Sequence, residues 1–307
     1  MLEPLNVRKN EPLAQYTTFG VGGTAEQYVA VRSRDQFLAA LRWAKENGVP
    51  FWILAGGSNV VCTNGEVRGL CIHVTGGEIA ENGESLTVDA GVPLMDFITF
   101  AMSRGLAGVE KMSGIPGTLG GAVVGNAGAY GQTISDRLVR VEIAENGETR
   151  WLTKEECGFS YRDSQFKMHP WSALRAEFSL TPGNSVELQT VSFETIALRS
   201  QKYPPGIKCP GSFFKNIFLD TVPAETRAHI PANRDFYGKV PAWYFLNEVG
   251  ARGMVHGGLR IADIHGNLIV NEGTATYDDV VSLARDLKQR VKEKFGVELE
   301  EEVRYVA

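Results

Sequence analysis

The chain has 307 residues, 43% of them hydrophobic and 22% charged, with a formal net charge of −5. That length fits two or three domains of roughly 100–200 residues each, and the composition excludes a mainly disordered chain. No basic stripe marks a nucleic-acid surface, no run approaches the roughly 20 apolar residues that span a bilayer, and residues 1–10 lack a secretory core. A soluble cytoplasmic protein is therefore expected, monomeric or weakly oligomeric, with neither nucleic acid nor membrane as a partner.

In chain order, Ser33-Arg34-Asp35-Gln36 reads as a capping box, and Phe37, Leu38, Leu41 and Ala44 follow at helical spacing up to Gly48. An apolar strand, Phe51-Trp52-Ile53-Leu54, then runs into Gly56-Gly57-Ser58-Asn59. Further strands are predicted at 70–74 and 86–90, and Pro93 opens a helix carrying Leu94, Phe97, Ile98 and Ala101 that stops at Gly105. Residues 108–131 are dense in Gly and Ala. Strands at 138–144 and after Arg150 flank Asn146-Gly147, a hairpin turn, and another strand covers 174–180. A helix over 191–201 ends in Lys202-Tyr203-Pro204-Pro205-Gly206, a breaker and the preferred domain boundary. Thr276-Tyr277-Asp278-Asp279 starts an amphipathic helix with the stripe Val280, Leu283, Leu287, Val291 and Phe295, stopped by Gly296. The chain closes on a predicted strand, with Val297, Leu299, Val303 and Tyr305 on one face and Glu298, Glu300, Glu302 and Arg304 on the other. Helices and strands without a steady βαβ rhythm give an α+β fold.

Cys62, Cys71, Cys157 and Cys209 form no CxxC pair and no cluster with histidine, so they are expected as small buried hydrophobes in a reducing compartment. His256 and His265 have no partners at metal-ligand spacing, and no metal is expected. Gly20-Val21-Gly22-Gly23-Thr24-Ala25 has the letters of a dinucleotide fingerprint, but that motif must open a helix, and residues 26–31 look like a strand. The other glycine loops suit phosphate better, because glycine lets backbone N–H groups approach an anion closely. From residue type alone they are as well explained by tight turns and close helix packing. Arg162, in Ser160-Tyr161-Arg162-Asp163-Ser164, could fork onto a carboxylate or simply sit on the surface. Ser212 lies in a turn before Phe213-Phe214-Lys215-Asn216. It lacks the strand–elbow–helix context of an acyl-enzyme nucleophile, and as a proton donor it would need a nearby charge such as Lys202 or Lys215.

The segments Thr17-Thr18-Phe19-Gly20-Val21-Gly22-Gly23, Leu54-Ala55-Gly56-Gly57-Ser58-Asn59 and Gly114-Ile115-Pro116-Gly117-Thr118-Leu119-Gly120-Gly121-Ala122 come first. They are followed by Asn126-Ala127-Gly128-Ala129-Tyr130-Gly131, Tyr161-Arg162-Asp163-Ser164, Gly211-Ser212-Phe213-Phe214-Lys215-Asn216, Ile269-Val270-Asn271 and Glu302-Val303-Arg304. Together and in this order they resemble one family, UDP-N-acetylenolpyruvoylglucosamine reductase, over nearly the whole chain. The resemblance implies a non-covalent FAD-binding fold of the vanillyl-alcohol-oxidase type over about 1–200, in two α+β subdomains at about 1–75 and 76–200. It implies a C-terminal α+β substrate-binding domain over about 201–307. It places FAD on Leu54, Ala55, Gly56, Gly57, Ser58, Asn59 and Val60, on Ser113, Gly114, Ile115, Pro116, Gly117, Gly120 and Gly121, and on Asn126, Ala127, Gly128, Ala129 and Tyr130. NADPH is implied as co-substrate and a UDP-linked amino sugar bearing an enolpyruvyl ether as substrate, in bacterial cell-wall synthesis. Arg162, Ser212 and Glu302 match the family's catalytic residues: carboxylate binder, proton donor to C2, and a terminal glutamate expected to be protonated or water-bridged. Tyr161, Lys202, Lys215, Asn216 and His265 fall where the family meets substrate.

The sequence departs from the family at Ile217 and Glu301, where proline is common, and at Gly20, where arginine is common. With no extra loop between Arg175 and Lys202 it resembles the shorter class, which lacks the tyrosine-bearing loop over the substrate. Another FAD-dependent sugar or alcohol oxidoreductase would keep the glycine loops without needing Arg162, Ser212 and Glu302 together. A non-catalytic flavin-binding protein would tolerate loss of Ser212.

Overall fold

The computed structural model describes residues 5–307; residues 1–4, the start of the N-terminal stretch discussed above, lie outside the described residues. The chain divides into two compact units. One comprises Met1–Glu11, Ala25–Gly57 and Arg68–Gln201, the other Pro12–Thr24, Ser58–Val67 and Lys202–Ala307. Among the described residues no helix is long and apolar enough to cross a membrane.

The first unit has two cores. A sheet ordered Arg8–Pro12, Thr24–Val31, Glu66–Val74, Phe51–Leu54 ends in a parallel pair, with Phe51 opposite Leu70. Helix α1 (Arg34–Glu46) lays Phe37, Ala40, Leu41 and Ala44 into a core with Val29, Val31, Leu70 and Ile72. Ser33 Oγ caps α1 by accepting from Gln36 N, while the Gln36 side chain accepts from Arg32 N, so only half of the expected capping box forms. The second core lies under an antiparallel sheet ordered Glu148–Thr153, Leu138–Glu145, Ser172–Ser179, Ser85–Asp89, Ile79–Asn82. Helices α2 (Leu94–Ser103) and α3 (Leu119–Val124) bury Phe97, Ile98, Leu119 and Val123 there. Asn146 and Gly147 turn the predicted hairpin with φ of 53° and 92°, a tight turn that needs both residues left-handed.

Helix α4 spans Ser185–Lys202 and so begins a turn and a half before the predicted 191–201. Asn184 starts it, its Oδ1 accepting from Val186 N and Glu187 N. The periodicity hid this start because the buried side is mixed, Leu188 lying with two hydroxyl residues, and apolar side chains also face outward. Ser192 and Thr195 are buried, with Ser192 Oγ bonded to Ser113 Oγ at 2.8 Å, while Val186 and Phe193 are 72% and 70% exposed.

The second unit holds α5 (Ala224–Arg227), α6 (Ala242–Glu248) and α7 (Tyr277–Phe295), with a three-stranded antiparallel sheet Val255–His256, Leu259–Ile261, Ile269–Asn271. Its core joins Phe19, Val21, Val61, Phe213, Phe214 and Phe245 to Leu283, Leu287 and Val291 of α7. Thr276 and Asp279 form the expected capping box, and Gly296 closes α7 at φ 63°. The predicted terminal strand is only partly a strand: Arg304–Val306 pairs in parallel with Val60–Cys62, while residues 297–303 share one isolated bridge, Glu301 with Phe214. The apolar alternation still buries Val297, Leu299 and Val303. The glycines near residue 20 precede a strand, Thr24–Val31, as the sequence reading required, and serve packing: a Cβ on Gly23 would lie 2.0 Å from Gly65 O.

Glu142, buried in the middle of the five-stranded sheet, accepts two bonds from Arg34 (2.8 and 2.6 Å) and one from Arg175 Nε (2.7 Å). Burial pushes its carboxyl up, but the Arg34 hydrogen bonds and the Arg175 charge outweigh that and hold it below the ordinary glutamate value. Its contribution is therefore present above the unfolded value of 4.5 and is lost as pH falls through the lower folded value. Both guanidinia reach water, so Glu142→Gln should cost about 2 kcal/mol at neutral pH. In chemical denaturation, the gap between variant and wild type should close as the pH drops below 4.5.

Candidate active site

In the first unit two glycine loops meet backbone to backbone. A Cβ on Gly56 would lie 2.4 Å from Gly117 Cα, so neither loop has room for a side chain between them. Gly114 and Gly117 take φ of 77° and 113°, and Gly120 packs where a Cβ would touch Ala90 at 2.8 Å. Around this cradle two buried polar atoms, Thr118 Oγ1 and Asn126 Oδ1, have no hydrogen-bond partner among the described residues. Buried polar atoms without partners are uncommon and here fit a polar ligand such as the FAD diphosphate. Residues 56–57, 114–121 and 126–130 would hold it, the cofactor supplying two-electron redox chemistry. Leu54 is buried at the end of its strand, and Ala55 would lie 3.4 Å from a Cβ on Gly121. Ser113 Oγ donates to Glu110 O at 2.7 Å and takes the bond from Ser192, so its hydroxyl is engaged inside the unit.

Arg162 is built against the same glycine-rich stretch. Residues 160–163 form a tight turn in which Ser160 N donates to Asp163 O and Asp163 N to Ser160 O. Arg162 sits at its centre with φ 56°, a left-handed conformation that costs a non-glycine residue. The turn is held by Asn126 Nδ2 donating to Ser160 O (2.7 Å), Arg162 Nη2 to Gly128 O (2.8 Å) and Lys167 Nζ to Arg162 O (2.5 Å). The guanidinium lies 5.5 Å over the Tyr161 ring. Across Gly128–Ala129 and Gln132–Thr133, Tyr130 and Gly131 turn a small hairpin at φ 49° and 82°.

The second unit brings Lys202, Tyr203 and Ser212 together. Lys202 Nζ donates to Ser212 Oγ at 3.2 Å, and Tyr203 Oη lies 3.0 Å from the same oxygen. Ser212 is placed by the backbone that follows it: Phe213 N donates to Asn267 O, Phe214 N to Asn267 Oδ1, and Asn267 Nδ2 returns a bond to Phe214 O at 2.8 Å. The segment of Glu302 runs alongside, with Glu302 N donating to Phe213 O (2.8 Å) and Lys215 N to Glu300 O (2.8 Å). Asn59 clamps it further, Nδ2 to Glu302 O at 3.0 Å, next to the strand beginning at Val60; Ser58 and Asn59 thus fall in the second unit and Gly56 and Gly57 in the first. The sequence reading passed over Tyr203, taken as part of a breaker, and Asn267, whose 2% exposure leaves no mark in the sequence.

Lys215 is paired with Glu300 at 2.5 Å, and Asn216 Oδ1 accepts from Ala242 N at 3.4 Å. Burial first, and then the charges of Lys202 and Arg252, push the His265 imidazole down to about 3; it is neutral, its Nδ1 accepting from Asn267 N at 3.2 Å. All four cysteines are buried and outside any disulfide, and burial pushes the Cys209 thiol up, which disfavours the reactive thiolate.

Residues 25–153 match the family model of an FAD binding domain, which makes the chain an FAD-binding protein by class. Residues 203–306 match the C-terminal domain model of UDP-N-acetylenolpyruvoylglucosamine reductase. The reductase of that name from Solibacter usitatus is 41% identical over 98% of this chain and 97% of its own length. Those of Rubrobacter xylanophilus and Carboxydothermus hydrogenoformans are 37% and 36% identical, covering 97% and 95% of this chain and 94% and 91% of their own. The crystal structure of the Thermus caldophilus enzyme aligns over 100% of both chains with a TM-score of 0.76 and 28% identity. The chain belongs to the UDP-N-acetylenolpyruvoylglucosamine reductase family.

Two outcomes follow from this geometry. Gly56→Ala forces the two glycine loops apart, so the purified variant should lose most of its visible flavin absorbance relative to wild type. His265, unprotonated in the fold down to about 3, takes a proton in the unfolded chain below 6.5. Wild-type stability should therefore fall with acid across that window by up to about 1.4 kcal/mol per pH unit. His265→Gln should flatten that slope in denaturation series run at several pH values.

Proposed function

We propose that the protein reduces UDP-N-acetylglucosamine enolpyruvate to UDP-N-acetylmuramate with NADPH, as a soluble cytoplasmic enzyme of cell-wall precursor synthesis. The observation that carries this reading is the contact of Ser212 Oγ with the Lys202 ammonium and the Tyr203 hydroxyl. Held by residues 56–57, 114–121 and 126–130, FAD would supply the hydride-transfer chemistry between NADPH and the enolpyruvyl ether. Ser212 then donates its proton to C2. The Lys202 ammonium can only donate to Oγ; where the Tyr203 hydroxyl, which can take either role, donates as well, both lone pairs of Oγ are taken and the hydroxyl proton is left for the substrate. The alkoxide that remains is stabilised by the ammonium 3.2 Å away and is reprotonated by solvent. Arg162 grips the carboxylate into which the charge at C2 spreads, and Glu302, protonated or through a water, adds a donor to the same charge.

Ser212→Ala should leave flavin reduction by NADPH nearly intact and slow flavin reoxidation by the sugar nucleotide by about 10²–10⁴-fold in stopped-flow experiments. Equal losses in both half-reactions would contradict the proton-donor role. NADPH oxidation by wild type that ignores the sugar nucleotide would instead favour a different FAD oxidoreductase.

A further inference from the structure

Arg234 is a cation in the second unit that no carboxylate answers. It ends the short turn Ala232–Arg234, is half-buried, and makes no hydrogen bond or ion pair among the described residues. Its Cζ lies 5.0 Å over the ring of Trp243. The acids around it are engaged elsewhere: Asp235 Oδ1 accepts from Gly238 N at 2.7 Å, and Glu248 lies 4.0 Å from Lys294. Trp243 is also half-buried, and its indole N–H makes no hydrogen bond among the described residues. Its ring centroid is 6.1 Å from that of His265.

This pair is tied to the Ser212 loop by backbone. Ala242 N, one residue before Trp243, donates to Asn216 Oδ1. The excursion that carries Arg234 leaves and rejoins the loop through the pairs Ile217–Val240 and Phe218–Lys239. Its tip, Tyr237-Gly238, turns at φ 56° and 75°, and Phe218, Phe236 and Tyr237 stand 45%, 48% and 89% exposed. Lys202 and Arg252 act electrostatically on His265, beside Trp243, so the region is positive within an acidic chain.

A guanidinium lying on an indole keeps its edge N–H groups directed outward in a planar fork. That fork matches two phosphate oxygens, and a half-buried charge left without an anion is costly. We propose that Arg234, held flat by Trp243, binds the diphosphate of the nucleotide-sugar substrate, with the 219–238 excursion as the element that delivers it. This rests on the reaction proposed above; Arg234 is the binding residue and Trp243 its positioning residue.

NADPH also carries a pyrophosphate, so the test titrates UDP and NADP⁺ separately into the FAD-loaded protein by calorimetry. Arg234→Ala, with its flavin content unchanged, should weaken UDP by about ten- to hundredfold, the range of a lost charge-assisted bond. Arg234→Lys should restore part of this, since it keeps the charge and loses the fork. Trp243→Ala should weaken UDP in the wild-type background but add little in the Arg234→Ala background. UDP affinity within twofold of wild type in Arg234→Ala, a loss confined to NADP⁺, or wild-type protein that does not bind UDP would each overturn the proposal. UDP binding needs no turnover. A wild type that binds UDP through Arg234 yet fails to reduce the sugar nucleotide would sink the reaction and leave this assignment standing.

Discussion

The hydrogen bond from Glu302 N to Phe213 O fixes the arrangement on which the C-terminal unit depends. Phe213 and Phe214 are fully buried, so their peptide groups have no water to turn to and must find partners inside the protein. Asn267 supplies most of them by behaving as a piece of strand, its side chain accepting from Phe214 N and donating to Phe214 O. The Glu302 segment supplies the rest, and Asn59 ties that segment down by bonding Glu302 O and accepting from Arg304 N. Ser212, one residue before this lattice, inherits its position. Removing Asn267 would leave two buried peptide groups unpaired, so its influence on Ser212 runs through backbone satisfaction.

The FAD-binding unit solves a related problem with conformation. Asn126, Tyr130 and Arg162 are non-glycine residues at positive φ, and all three lie in or against the glycine-rich stretch. Such strain persists only where the surroundings over-determine it. Here the determinants are mutual: Asn126 holds the turn that strains Arg162, and Arg162 in turn holds Gly128 O, beside the hairpin that strains Tyr130. Asn126 keeps its amide oxygen unpaired among the described residues while its amide nitrogen is engaged. The same side chain can therefore support the arginine turn and still present an acceptor to a ligand.

Much of this was legible in the sequence. The Thr276 capping box, the stop Gly296, the turn Asn146-Gly147 and the α7 stripe are local features with local causes and form as read, while the Ser33 cap forms without the return bond from Gln36. The FAD fold and the family rested on ordered glycine segments, and the matched domains and relatives bear them out. What was not legible depends on distant partners. The α4 start was missed because its buried face is mixed, Leu188 sharing it with Thr195 and with Ser192, which is satisfied by Ser113 from another part of the chain. The terminal segment alternates like a strand, yet much of its backbone pairing is with the 213–215 loop, which no periodicity announces. Tyr203 and Asn267 carry no motif; their importance comes from where a serine hydroxyl and a buried peptide happen to end.

Charge allocation explains how an acidic chain can keep cations for anionic ligands. Three acids of the C-terminal segment meet a lysine: Glu298 pairs with Lys292, Glu300 with Lys215 and Glu301 with Lys288. Those pairs are largely solvated and contribute little to stability, but they neutralise carboxylates that would otherwise compete for the site. Lys202, by contrast, has a serine hydroxyl and an aromatic face as its contacts, and Arg234 an indole. Neither contact cancels a positive charge. An ammonium and a guanidinium set against hydroxyl and ring surfaces keep their field for whatever anion arrives, whereas the same residues opposite glutamate would not. The overall balance of −5 therefore says nothing against a substrate bearing a diphosphate and a carboxylate; the distribution decides, and it leaves uncancelled positive charge beside Ser212.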